Sequence, residues 1–220
     1  MNKRHLCLIL SLFLFSCFAS SEESTGSKLN PNEMKTGPSG KKGDGPSDRD
    51  FSQSIILERH EIDFDVDLIE RITSFDDEAS ARIANIRFEA MTYEVGGLEV
   101  EGFILSPKGE GPFPAIIYNR GGNGDFGAID DGLLLFWVSR FVSWGYVVVA
   151  SQYRGNAGGE GAEEFGGADV NDVLRLIDIL DEEPHVDSRN IGMYGHSRGG
   201  LMTYLSLTKT NRISAAVVRS

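Results

Sequence analysis

Gly195-His196-Ser197-Arg198-Gly199 is a G-x-S-x-G pentapeptide, a pattern that sets a serine on a sharp turn between a strand and a helix. The turn lifts the hydroxyl clear of the chain, where it can attack a carbonyl carbon. A serine alone is a weak nucleophile; it needs a histidine to take its proton and a carboxylate to orient that histidine. On this kind of turn the partners follow the serine in the chain, carboxylate first and histidine last. Residues 198–220 hold no Asp, Glu or His, and all four histidines (His5, His60, His185, His196) precede Ser197. The expectation is acyl-transfer chemistry at Ser197, with the acid and base beyond Ser220 and the 220-residue chain inactive by itself. His196 is expected to point away from its neighbour, and His185, in Glu183-Pro184-His185, reads as part of a surface loop. Neither is expected to be the base.

Glycine is 26 of 220 residues, so about 0.2 to 0.3 chance matches to the pentapeptide are expected in such a chain. The flanking elements therefore carry the decision. Residues 189–194 form a short apolar run suited to a buried strand, and residues 200–207 continue as an apolar helix. Gly195 and Gly199 permit the tight bend and close helix–strand packing. The competing reading is a fortuitous glycine-rich loop.

Upstream, Ile86–Val95 and Leu98–Ser106 are β-prone runs joined by Gly96-Gly97, a hairpin pattern. Pro114–Tyr118 and Val147–Ala150 are continuous apolar runs, as central parallel strands require. Leu133–Trp144 is a helix stopped by Gly145, and Asp169–Leu180 places apolar residues on one helical face. Ala215–Val218 is the last strand. Strands alternating with helices predict an α/β fold, a mostly parallel sheet with flanking helices, incomplete after the elbow helix and one further strand.

The first residues are basic, and Leu6–Phe15 is an apolar run of signal-peptide length, too short to span a bilayer as a mature helix. It ends in Leu14-Phe15-Ser16-Cys17, which resembles a lipobox with Cys17 as the acylated residue. An ordinary cleaved signal, cut near Ala19 or Ser20, is the alternative. Cys7 would be removed with the signal, so no intrachain disulfide is expected. Segment 1–17 is thus read as a signal, and 18–50, rich in Ser, Gly, Pro and Lys, as a disordered tether. Residues 51–84 read as a short extension of helical or irregular segments, and 85–220 as a partial catalytic domain. The expected location is a bacterial cell envelope, membrane-bound through Cys17, or else the periplasm or medium. Residues 1–50 carry seven basic and six acidic side chains, which leaves fourteen basic and twenty-seven acidic in 51–220. That balance argues against nucleic acid as partner. No side-chain cluster has metal-ligand spacing and no glycine run makes a P-loop or dinucleotide fingerprint, so neither a metal nor a cofactor is expected.

Asn119-Arg120-Gly121-Gly122-Asn123, Tyr153-Arg154-Gly155-Asn156, the helix opening at Asp169, Val186-Asp187-Ser188-Arg189-Asn190-Ile191-Gly192 and Gly195–Gly200 follow one another in order. Together they resemble the catalytic domain of the prolyl oligopeptidase family of serine peptidases, within the α/β-hydrolase superfamily, from about Ile86 onward. The resemblance implies that Ser197 is the nucleophile and that the Arg198 backbone N–H is one oxyanion donor. It places the second donor in the loop after the Pro114–Tyr118 strand. Family members carry Tyr or His before the Gly-Gly pair, where this chain has Arg120. The donor is therefore open among the Arg120 side chain, Asn119 and a backbone N–H of that loop. Arg154 either braces a loop or binds substrate, and Glu160, Glu163 and Glu164 either form a solvated loop or attract a cationic substrate. The implied activity is cleavage of short peptides, with a carboxylesterase or carbohydrate esterase, or an inactive fragment, as alternatives. Residues 51–84 are too few to hold the β-propeller of the family's large members.

Overall fold

The computed structural model describes residues 54–220; the expected signal with Cys17, and the tether, lie outside the described residues. Among these, seven strands form one sheet: β1 (Ile56–Glu61), β2 (Ile86–Val95), β3 (Leu98–Pro107), β4 (Phe113–Asn119), β5 (Val147–Ser151), β6 (Val186–His196) and β7 (Ile213–Arg219). Their order is β1-β2-β3-β5-β4-β6-β7. The joins from β1 to β5 are antiparallel and those among β5, β4, β6 and β7 are parallel. The helices are α1 (Val66–Thr73), α2 (Ala79–Ala84), α3 (Asp131–Leu133), α4 (Ser139–Ser143), α5 (Val170–Glu182) and α6 (Arg198–Leu207), with a π-helical turn at Leu134–Val138.

The hairpin turn falls at Gly96 and Gly97, whose φ of 61° and 84° suit a type I′ connection. Central strand β5 is buried throughout, and its period of two sends Val147 and Val149 to one face, Val148 and Ala150 to the other. The first face packs on Val170, Val173, Leu176 and Leu180 of α5 and Met202 of α6. The second packs on Leu134, Leu135, Val138 and Val142, and on Ile72 and Ala79 of the first two helices. A two-sided core of this kind is why β4 and β5 read as unbroken apolar runs.

The segment expected to hold only helical or irregular pieces, 51–84, also contributes β1, which pairs with β2 in the same sheet. This strand is exposed except at Ile56, so backbone pairing rather than apolar burial holds it, and its sequence shows no alternation. The expected helix at 133–144 is divided by the π-helical turn. Ser139 Oγ donates to the Leu135 carbonyl at 2.5 Å and accepts from Arg82 Nε at 2.9 Å, which favours the wider turn there.

Candidate active site

β6 ends at His196 and α6 begins at Arg198, so Ser197 alone makes the bend, at φ 52° and ψ −119°. Side chains rarely adopt this region, and the strain is localised on the one residue whose hydroxyl is on offer. Ser197 is exposed. Its N–H donates to the Arg219 carbonyl of β7 at 2.7 Å, and its own carbonyl accepts the Gly200 N–H at 2.8 Å. A Cβ on Gly199 would run into the Asn119 carbonyl, and one on Gly195 would lie 2.5 Å from Thr203 Oγ1. The two glycines thus let α6, β6 and the end of β4 converge. The Arg198 N–H opens the first turn of α6, where no intrahelical acceptor exists.

The loop after β4 passes directly over the bend: a Cβ on Gly121 would lie 3.2 Å from Ser197 Cβ. Of the three candidate donors, the two side chains are already engaged elsewhere. The Arg120 guanidinium is fully buried and donates to the carbonyls of Gln152, Gly121 and Gly124 at 2.9–3.2 Å. Asn119 Nδ2 donates to Thr203 Oγ1 at 2.9 Å on the far side of the bend. What remains near Ser197 is loop backbone at Gly121 and Gly122.

A cleft of about 590 Å³ opens at Ser197. Gly121, Gly122 and His196 border it beside the nucleophile, and Tyr118, Leu133 and Phe136 supply an apolar wall. Burial beside Tyr194 pushes the Tyr118 phenol up to about 12, so it stays neutral. No described imidazole hydrogen-bonds to the Ser197 hydroxyl. His185 precedes β6 and Ser197 follows it, so the eleven-residue strand separates them by on the order of 30 Å. His60 lies on β1, five strand positions from β6, or about 24 Å. His196 borders the cleft with a buried, unpartnered Nδ1. Among the described residues, no group of His, Cys, Asp and Glu is arranged to hold a metal.

The residues around the bend are tied by charge. Arg198 is 5% exposed; it reaches Asp169 Oδ2 at 2.6 Å, Glu163 Oε2 at 2.7 Å and the Gly122 carbonyl at 3.1 Å. The guanidinia of Arg120 and Arg198 lie 5.1 and 4.8 Å from the ring centroid of buried Tyr153, itself held at φ 65°. Arg154 is a brace: it grips Asp172 through Nε and Nη2 at 3.0 and 2.6 Å, and its N–H adds a third bond. The acidic run is bonded inward as well, with Glu160 accepting from Glu99 N–H, Glu164 from Ala168 N–H and Glu163 from Gly124 N–H. Burial alone would raise the Glu163 carboxyl, but bonds from Arg198 and Asn156 hold it below its ordinary value. The joint role of Tyr153, Glu163 and Asp169 had no periodic signature. The only sequence signal was the run of Glu160, Glu163 and Glu164 between the expected strand at 147–150 and the helix opening at Asp169.

Residues 135–220 match the family described as Prolyl oligopeptidase family. The uncharacterized peptidase YtmA of Bacillus subtilis (strain 168) is 34% identical over 134 residues, 61% of this chain and 51% of that protein. Dipeptidyl-peptidase 5 of Porphyromonas gingivalis is 32% identical over 103 residues, 42% of this chain and 14% of that protein. The solved structure of esterase Est22 is similar in fold, with a TM-score of 0.54 at 17% identity over 69% of this chain and 48% of that one. The chain spans about half the length of YtmA and less of the dipeptidyl-peptidase.

Proposed function

From the match of residues 135–220 to the prolyl oligopeptidase family we propose that the protein is a serine peptidase acting on short peptides through an acyl-enzyme at Ser197. One observation carries the reading: the exposed Ser197 sits alone on a left-handed bend at the cleft mouth, beside the first N–H of α6. Ser197 Oγ attacks the scissile carbonyl and passes its proton to a base. The oxyanion that forms is received by the Arg198 N–H and, from the loop above, by backbone N–H at Gly121. Each such donor contributes roughly 3 to 4 kcal/mol of transition-state stabilisation. The C–N bond then breaks, the amine leaves with the proton, and water releases the acyl group by the same route. His60 and His185 are too distant to serve, and His196, whose Nδ1 is buried without a partner, makes no hydrogen bond to the Ser197 hydroxyl, so we assign the base to a histidine outside residues 54–220. The apolar wall of the cleft fits an apolar acyl side chain.

An esterase would use the same acyl-enzyme, and substrates separate the two. The full-length protein is expected to release anilide from short peptidyl anilides, and Ser197→Ala to lose about 10⁴-fold or more in kcat while remaining folded. Turnover of p-nitrophenyl esters with none of anilides would move the reading to the esterase. Retained turnover in folded Ser197→Ala would remove Ser197 as nucleophile. The apolar run ending at Cys17 further supports export and lipid anchoring. Cys17→Ser should then shift the protein from the membrane to the soluble fraction, and an unchanged distribution would contradict the anchor.

A further inference from the structure

Residues 120–127 carry four glycines, and Gly122, Gly124 and Gly127 have φ of 69°, 53° and 76°. Ordering such a segment costs more backbone entropy than ordering ordinary residues. Its own regular pairing is limited to one isolated bridge, between Asn123 and Phe126. Arginines supply the rest. Arg120 Nη1 donates to the Gly121 carbonyl at 3.1 Å, Arg198 Nη1 to that of Gly122 at 3.1 Å, and Arg120 Nη2 to that of Gly124 at 3.2 Å. Fixing these carbonyls fixes the peptide planes and hence the direction of the loop's N–H groups over Ser197.

Two guanidinia buried on one tyrosine ring need compensating carboxylates. Asp169 takes Arg198 from one side, and its remaining bonds go to Glu164 and Gly166 of its own loop. Glu163 reaches further. Its carboxylate lies 2.7 Å from Arg198 Nη1 and 3.7 Å from Arg120 Nη2, and accepts the Gly124 N–H at 3.3 Å and Asn156 Nδ2 at 2.9 Å. It touches both clamping arginines and the clamped loop at once.

We propose that Glu163 is a positioning residue: its carboxylate bridges Arg198 and Arg120 and so holds the backbone of residues 120–127 in its donor conformation over Ser197. The catalytic part of this statement rests on the function proposed above; the structural part does not. Glu163→Gln keeps the shape and removes the charge, whereas Glu163→Asp keeps the charge on a shorter arm.

The test measures amide exchange and steady-state kinetics on the full-length protein and both variants, with unfolding midpoints as the control for folding. In Glu163→Gln, amides of 120–127 should exchange about 10-fold faster or more while those of β2 and β3 stay unchanged. The kcat on peptide substrate should fall about 10-fold to 100-fold with KM within about twofold, and Glu163→Asp should recover part of both. Unchanged exchange in 120–127 would overturn the proposal, and so would faster exchange with unaltered kcat. A wild-type protein with no turnover, but with the predicted exchange pattern, would retire the nucleophile assignment and leave the loop-holding role of Glu163 standing.

Discussion

The β2–β3 hairpin and the loops that meet at Ser197 both turn on glycine, and they use it for different ends. At Gly96 and Gly97 an added Cβ would meet nothing within 4 Å, so glycine there answers only to a positive φ. At Gly199 and Gly195 the same atom would enter the Asn119 carbonyl or crowd Thr203. The hairpin is held by ten successive residue pairs between neighbouring strands, whereas the site joins segments dozens of residues apart through a buried group of arginines and carboxylates. Local regularity tolerates single losses, because each pair has neighbours that persist. A converging site does not, since each bond there is the tie between two loops.

That contrast can be broken by unequal costs. The largest should come from Asp169→Asn, which leaves buried Arg198 short of a partner: about 3 to 5 kcal/mol in urea denaturation. A loss below about 1 kcal/mol would show that the charge cluster is dispensable. Gly199→Ala should cost about 2 to 3 kcal/mol through overlap with the end of β4, read from the same denaturation curves. At the hairpin, Gly97→Ala meets open space at φ 84° and should cost only about 1 kcal/mol. Breaking the half-exposed Arg212–Asp181 pair with Arg212→Ala should cost under about 1 kcal/mol.

Acidity sharpens the same comparison. Glu163 has its carboxyl held below the ordinary range in the folded protein, so its contribution is present above the unfolded-state value and lost as pH falls through the folded one. Arg198, Arg120 and Asp169 face it and are joined to it through the same cluster. Exchange at 120–127 should therefore accelerate on acidification before exchange in the hairpin does. A simultaneous loss would mean that the loops have no separate stability.

Much of this division was legible in the residues. The strands β2 to β7, the hairpin turn and the bend at Ser197 follow from apolar runs and glycine placement, since both depend on neighbours in sequence. β1 was not legible because it is an exposed edge held by backbone bonds. The cluster of Arg120, Tyr153, Glu163, Asp169 and Arg198 was invisible for a different reason: its members come from four segments, and pairing across segments leaves no periodicity. For that reason Arg120 read as a possible oxyanion donor, whereas its buried guanidinium braces the loop instead.

The most direct test of the account is the site of covalent capture. The full-length protein, treated with a fluorophosphonate and digested, should yield one stoichiometric adduct on the peptide containing Ser197, and folded Ser197→Ala should yield none. An adduct on another serine, or equal labelling of the variant, would contradict it.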